Sequence, residues 1–126
     1  MIALSEIISV AIGGAIGAIY RLLLSESLNS KIRFFPLGTF LANMTASLLA
    51  GIMTAEYKYA DISASLLPFI DIGFCATLST FSSLIWEISE LLRLKKNRDA
   101  ILYATLTTFC GAFLFLLGEW VIRMIH

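Results

Sequence analysis

The sequence predicts an all-α membrane protein of four helical spans, and three observations carry that reading. Of 126 residues, 59% are hydrophobic and 14% charged, whereas a soluble domain carries about 25% charged residues. Mean hydropathy is +0.88. The apolar residues gather in four runs, near Ile7–Leu24, Pro36–Ala55, Leu66–Leu92 and Ala100–Ile125. A bilayer core about 30 Å thick needs roughly 20 apolar residues per helix, so four spans consume most of the chain. Residues 1–126 therefore read as a single four-span membrane domain with no separate soluble one.

The first run has no basic stretch before it and carries Glu6 instead, so it is expected to remain as a span and not to be cleaved as a signal peptide. Inside it Gly13 and Gly17 stand four apart. The connection Ser25–Phe35 is polar, with Asn29, Lys31 and Arg33. The second run repeats the small-residue spacing at Ala42, Ala46 and Ala50, and again at Ser47 and Gly51. In lipid no hydrophobic force drives helices together, and such rows let backbones approach closely enough to gain dispersion contacts. They fit packing within the chain and dimerisation equally well. Lys58 and Asp61 mark the second connection, Glu56–Ser65, and Arg93–Asp99, almost wholly charged, marks the third.

The third run is the anomalous one, because five hydroxyls fall among the seven residues from Thr77 to Ser83. Hydroxyls can back-bond to carbonyls and merely bend a helix. Alternatively the helix breaks there, and its freed backbone groups then need protein or an ion-conducting cavity to satisfy them.

Several function classes drop out. Formal net charge is zero and the nine Lys and Arg are scattered, which leaves no basic face for nucleic acid. The single histidine is terminal His126, and no carboxylate pair, metal-ligand cluster or phosphate-binding glycine loop appears, so the chain does not read as an enzyme. Cys75 and Cys110 lie in apolar runs and read as packing residues. Transport or conduction is the better class. The in-span donors are largely neutral: hydroxyls and the Asn43 carboxamide. A small anion in transit needs donors to replace hydration, whereas a full cationic partner in low dielectric traps it. Asn43 is costly at mid-span unless it is paired, either by an interhelical hydrogen bond or by an ion. Phe81 beside the hydroxyls is either packing or a ring whose positive edge faces an anion.

In chain order, the elements Gly13-Gly14-x-x-Gly17-x-x-x-Arg21, Gly38-Thr39-x-x-x-Asn43, Leu78-Ser79-Thr80-Phe81-Ser82 followed by Glu87, and Tyr103-x-x-x-Thr107-x-x-x-Gly111 resemble the Fluc/CrcB family of fluoride channels from end to end. The resemblance implies a plasma-membrane protein with the third helix broken near mid-membrane. It implies two subunits packed antiparallel, two pores, a structural Na+ at their interface, and passive export of fluoride that entered as HF. By position, Asn43, Phe81, Thr39, Ser83, Tyr103 and Thr107 become the fluoride pathway and Arg21 a vestibule residue. Thr77 and Thr80 become the carbonyl donors to sodium, and Glu87 a structural or vestibule residue. Two positions depart from the family pattern, Thr77 where a glycine is usual and Leu84 where a second phenylalanine is usual. The second departure bears on whether both pores conduct.

Two rival classes are a small multidrug-type proton-coupled exporter and a non-transporting scaffold subunit. The exporter needs a carboxylate deep in the first span, where this chain has only Arg21. The scaffold has no use for a mid-membrane Asn43 and a hydroxyl-rich third span. Positive charge is also asymmetric: Arg21, Lys31, Arg33, Arg93, Lys95, Lys96 and Arg98 share one side, while Lys58 and Arg123 take the other. Seven against two predicts a fixed orientation with both termini outside. An antiparallel dimer then needs a paralogue of opposite bias, unless a homodimer tolerates the asymmetry.

Overall fold

The computed structural model describes residues 3–29, 35–59, 66 and 68–126, and among these there are helices and no strands. Lys31, Arg33 and Asp61, read above as loop charges, lie outside the described residues. Helix α1 is Leu4–Leu28 and α2 is Leu37–Tyr59. The third run starts as a π-helical segment, Pro68–Cys75, passes into α3, Ala76–Leu78, and resumes as α4, Phe81–Arg93. Helix α5 is Asn97–Ile125. Four stretches, Leu4–Leu28, Leu37–Tyr59, Pro68–Arg93 and Asn97–Ile125, are long and apolar enough to cross a membrane, as the four apolar runs predict.

Helices α1, α2 and α5 outrun their apolar runs. Helix α1 continues through Ser25 and Glu26, α2 through Glu56 and Lys58, and α5 begins at Asn97. The backbone ladder needs no apolar side chain, so it persists into the polar interface, where water and headgroups satisfy the end groups. The 25 residues of α1 extend about 37 Å at 1.5 Å per residue, which exceeds the hydrocarbon layer.

Packing is close, backbone on backbone, along two seams. Going up α1, Gly13 meets Phe69 and Phe74, Gly17 meets Phe74 and Thr77, and Arg21 meets Thr80 and Ser83, so α1 and the third stretch run in the same direction. A Cβ placed on Gly73 would sit 2.7 Å from the Val10 carbonyl oxygen and 3.1 Å from the Gly13 Cα. Only glycine fits that approach. Likewise Ser47 meets Gly111, Gly51 meets the Phe115 backbone and Lys58 pairs with Glu119 at 2.7 Å, which makes α2 and α5 parallel. Small residues at four-residue spacing therefore serve packing within the chain, one of the two uses read from the sequence.

The turn from α4 to α5 is short and closed. Lys95 takes a left-handed φ of 59°, while the Lys95 and Lys96 N–H groups donate to the Leu92 and Leu91 carbonyls at 2.9 Å. That arrangement satisfies the last carbonyls of α4 and sends α5 back beside it. Ala42, Ala46, Cys75 and Leu78 form one core cluster, and Leu91, Ala100 and Tyr103 form a second, against which Leu84 packs. Cys75 is buried and Cys110 half-buried, both as free thiols.

Candidate functional site

Between α3 and α4 the chain is not helical. Ser79 (φ −90°, ψ 112°) and Thr80 (φ −121°, ψ 124°) are extended. Helix ends leave main-chain groups without intrahelical partners. Here the Ser79 N–H reaches the Cys75 carbonyl at 3.0 Å and the Leu84 N–H reaches the Thr80 carbonyl at a long 3.4 Å. Thr77, in the last turn of α3, turns its hydroxyl back to the Gly73 and Phe74 carbonyls at 2.9 and 3.1 Å. Its side chain lies against Gly14 and Gly17 of α1. The bulk that distinguishes Thr77 from glycine is thus taken up by α1. Its carbonyl lies in the last turn of α3, among the groups that a helix end leaves without intrahelical partners. Among the described residues no group of three His, Cys, Asp or Glu could hold a metal.

A cleft of about 260 Å³ opens beside this junction, lined by Asn43 and Ser47 of α2, by Ser79, Thr80, Phe81 and Leu84, and by Thr107, Thr108 and Gly111 of α5. Asn43 is 6% exposed and Thr107 7%, yet Asn43 Oδ1 and Thr107 Oγ1 have no hydrogen-bond partner. A buried polar atom without a partner costs about 1–3 kcal/mol; of these two, the amide oxygen can only accept, whereas the hydroxyl can also donate. Phe81, the first residue of α4, is 75% exposed and lines the same cleft. The sequence readings of Asn43, Thr107 and Phe81 thus converge on one place.

Thr39 and Tyr103 go elsewhere. Their hydroxyls donate to the two oxygens of the buried Glu87 carboxylate, each at 2.6 Å. Asn29 adds Nδ2 contacts of 3.4 Å to both Thr39 and Glu87 and accepts from the Gly38 N–H through Oδ1 at 2.7 Å. This network ties the end of α1 to the start of α2 and to α4 and α5. Asn29 was read only as a loop polar residue, and its sequence position carried no sign of this role. Ser83, the sixth pathway residue, accepts from Arg21 Nη1 at 2.8 Å, as Thr80 Oγ1 does at 2.9 Å. Arg21 is therefore anchored inside the fold. Glu6, the carboxylate of the first span, sits at the N-terminus of α1 and accepts from the Ala3 N–H at 3.1 Å. It is not placed for proton-coupled exchange at mid-span.

The family model described as CrcB-like protein, Camphor Resistance (CrcB), matches residues 8–119, which reaches into all four spans. The chain belongs to the CrcB family. Curated CrcB relatives align over most of both chains. A protein of Ligilactobacillus salivarius named fluoride-specific ion channel FluC 1 is 34% identical over 114 residues, 90% of this chain and 96% of its own length. One of Geobacillus kaustophilus with the same name is 36% identical over 114 residues, 90% and 95%. The fluoride-specific ion channel FluC of Pyrococcus furiosus is 37% identical over 116 residues, 91% and 94%. This CrcB chain is a multi-pass membrane protein of an ion-channel family and not an enzyme.

Proposed function

We propose that this CrcB chain is one subunit of a fluoride-selective channel in the plasma membrane that lets cytoplasmic fluoride out passively. The observation that carries the reading is the cleft where the buried Asn43 amide, whose Nδ2 donates to no described residue, and the unpartnered Thr107 hydroxyl lie beside the exposed ring of Phe81. Neutral amide and hydroxyl groups replace hydration without trapping an anion, and the edge of an aromatic ring adds partial positive charge. The names of the CrcB relatives support fluoride as the ion. Planar-bilayer recording tests this: a fluoride current with almost no chloride current is expected, and comparable currents contradict it.

The pathway then runs from the Arg21 and Ser83 end past Asn43, Phe81 and Thr107, with Thr39 and Tyr103 at the Glu87 network. The exposure of Phe81 supports a second, antiparallel subunit that closes the cleft. In this reading the third span is a helix broken near mid-membrane at Ser79 and Thr80. The carbonyls of Thr77 and Thr80 would hold a structural Na+ between the subunits, where a hard cation would satisfy oxygens that helix ends leave without partners. Their donor chemistry fits, because both oxygens lie at helix termini with at most one weak main-chain bond.

The same reading extends to the partner. Arg21 is bonded inside the fold, so the loop charges become six against two, from Lys31, Arg33, Arg93, Lys95, Lys96 and Arg98 against Lys58 and Arg123. That bias still fixes one orientation, and the antiparallel partner is an oppositely biased paralogue. With Leu84 in place of a second ring, one of the two pores lacks its aromatic pair. Reporter tags on the C-terminus should give an external signal alone. Equal signals on both sides, together with full fluoride efflux by this chain on its own, contradict the heterodimer.

A further inference from the structure

The hydroxyls of the membrane-spanning helices fall into groups according to where their protons go. Thr45, Thr54, Ser89 and Thr108 each donate to the carbonyl four residues back, at 2.8 to 2.9 Å. These hydroxyls are spent on their own helices. Thr39 and Tyr103 spend their protons on Glu87. Thr80 and Ser83 differ from both. Each oxygen accepts from Arg21 Nη1, and neither hydroxyl donates to any described residue.

A hydroxyl has one proton and two lone pairs, and it rotates to suit its neighbours. Arg21 never gives up its charge and offers only donors. With a guanidinium N–H on one lone pair, the hydroxyl proton must point away from Arg21. We infer that Arg21 is a positioning residue for ion selection: by bonding Thr80, which lines the cleft, and Ser83 in the first turn of α4, it fixes both hydroxyls as donors turned away from its own charge, which favours an anion and disfavours a cation. Arg21 does this without touching the ion itself. Among the described residues no carboxylate forms a salt bridge with Arg21, although the buried Glu87 carboxylate is near enough to feel its charge. Fluoride, the smallest and most strongly hydrated halide, depends most on correctly oriented donors. Losing the orientation should therefore lower the fluoride-to-chloride permeability ratio as well as the flux.

The inference rests on the channel reading, and the two can fail separately. The complex is reconstituted in planar bilayers and the ratio is taken from the reversal potential with fluoride on one side and chloride on the other. A parent complex without fluoride current contradicts the channel reading, and the inference with it. Given a conducting parent, Arg21→Gln is expected to lower the ratio about tenfold, the effect of one lost charge-assisted hydrogen bond. Arg21→Lys, which keeps the charge and at least one donor, should recover part of it. An Arg21→Gln channel with the parental ratio, whether or not its flux falls, overturns the inference, because a purely structural arginine would change only the number of active channels. If Arg21→Gln does not assemble, the pair Thr80→Val and Ser83→Ala in the Arg21 parent decides instead: a lowered ratio supports the inference and an unchanged one overturns it.

Discussion

Replacing Asn43 by leucine is expected to cut fluoride efflux by about 10- to 100-fold while the protein still inserts and assembles. The range corresponds to the roughly 1.5–3 kcal/mol of one hydrogen bond to a charged group. Leucine keeps the branching and the number of side-chain heavy atoms of asparagine, with bulkier methyl groups, but offers no donor. Because Asn43 Oδ1 has no partner in the fold, its removal strands no neighbour, and stability should hold or rise. Efflux and stability therefore move apart, which separates a pore residue from a packing residue. Phe81→Ile should move efflux in the same direction, since the ring is 75% exposed and contributes little to packing within one chain. Efflux from vesicles, normalised to assembled protein by size-exclusion chromatography, checks both. If assembled Asn43→Leu and Phe81→Ile complexes conduct like the parent, the cleft is not the pathway.

The opposite pattern is expected for Gly51→Val, which should destroy assembly. A side chain at Gly51 of α2 would run into the Phe115 carbonyl, carbon and Cα of α5, with the carbon only 2.8 Å away. That obstacle is backbone, so no rotamer change relieves it. Overpacking of a tight core costs about 1–3 kcal/mol or more, and here it also pries apart a seam that brings Asn43 to Thr107. The measurement is the fraction of folded protein that survives heating in detergent, set against Gly111→Ala. At Gly111 the nearest atom is the Ser47 Oγ, 3.2 Å from the added carbon, and a serine side chain can yield. A Gly51→Val protein as heat-resistant as the parent contradicts the backbone seam.

How much of this was legible in the sequence depends on whether a feature is set by one segment or by two. The four spans follow from lipid, which selects any apolar run of sufficient length, and only their ends were underestimated, because helix hydrogen bonds continue into polar sequence. The π-helical segment Pro68–Cys75 was not legible. Its winding goes with how closely Gly73 lies on Val10 and Gly13 of α1, a tertiary contact with no periodic signature. At Ser79 and Thr80, which are extended, the cluster of hydroxyls offers alternatives to the helical ladder but does not decide in sequence between a bend and a break. In the site, Asn43 stood out as the one carboxamide inside an apolar run. The direction of a hydroxyl proton is another matter. Thr39, Tyr103, Thr80 and Ser83 look alike as polar positions, but Glu87 claims the protons of the first two and Arg21 the lone pairs of the others. Only the fold reveals that division. Asn29 went unnoticed for the same reason, because its partners lie 9 to 58 residues away in sequence.

The central claim is tested most directly by efflux from liposomes loaded with equal fluoride and chloride, followed with electrodes selective for each ion. The purified chain is reconstituted alone and together with an oppositely biased CrcB paralogue. The account predicts rapid loss of fluoride and retention of chloride in at least the paired sample. Retention of both ions in every sample, or release of chloride at a rate comparable with fluoride, would contradict it.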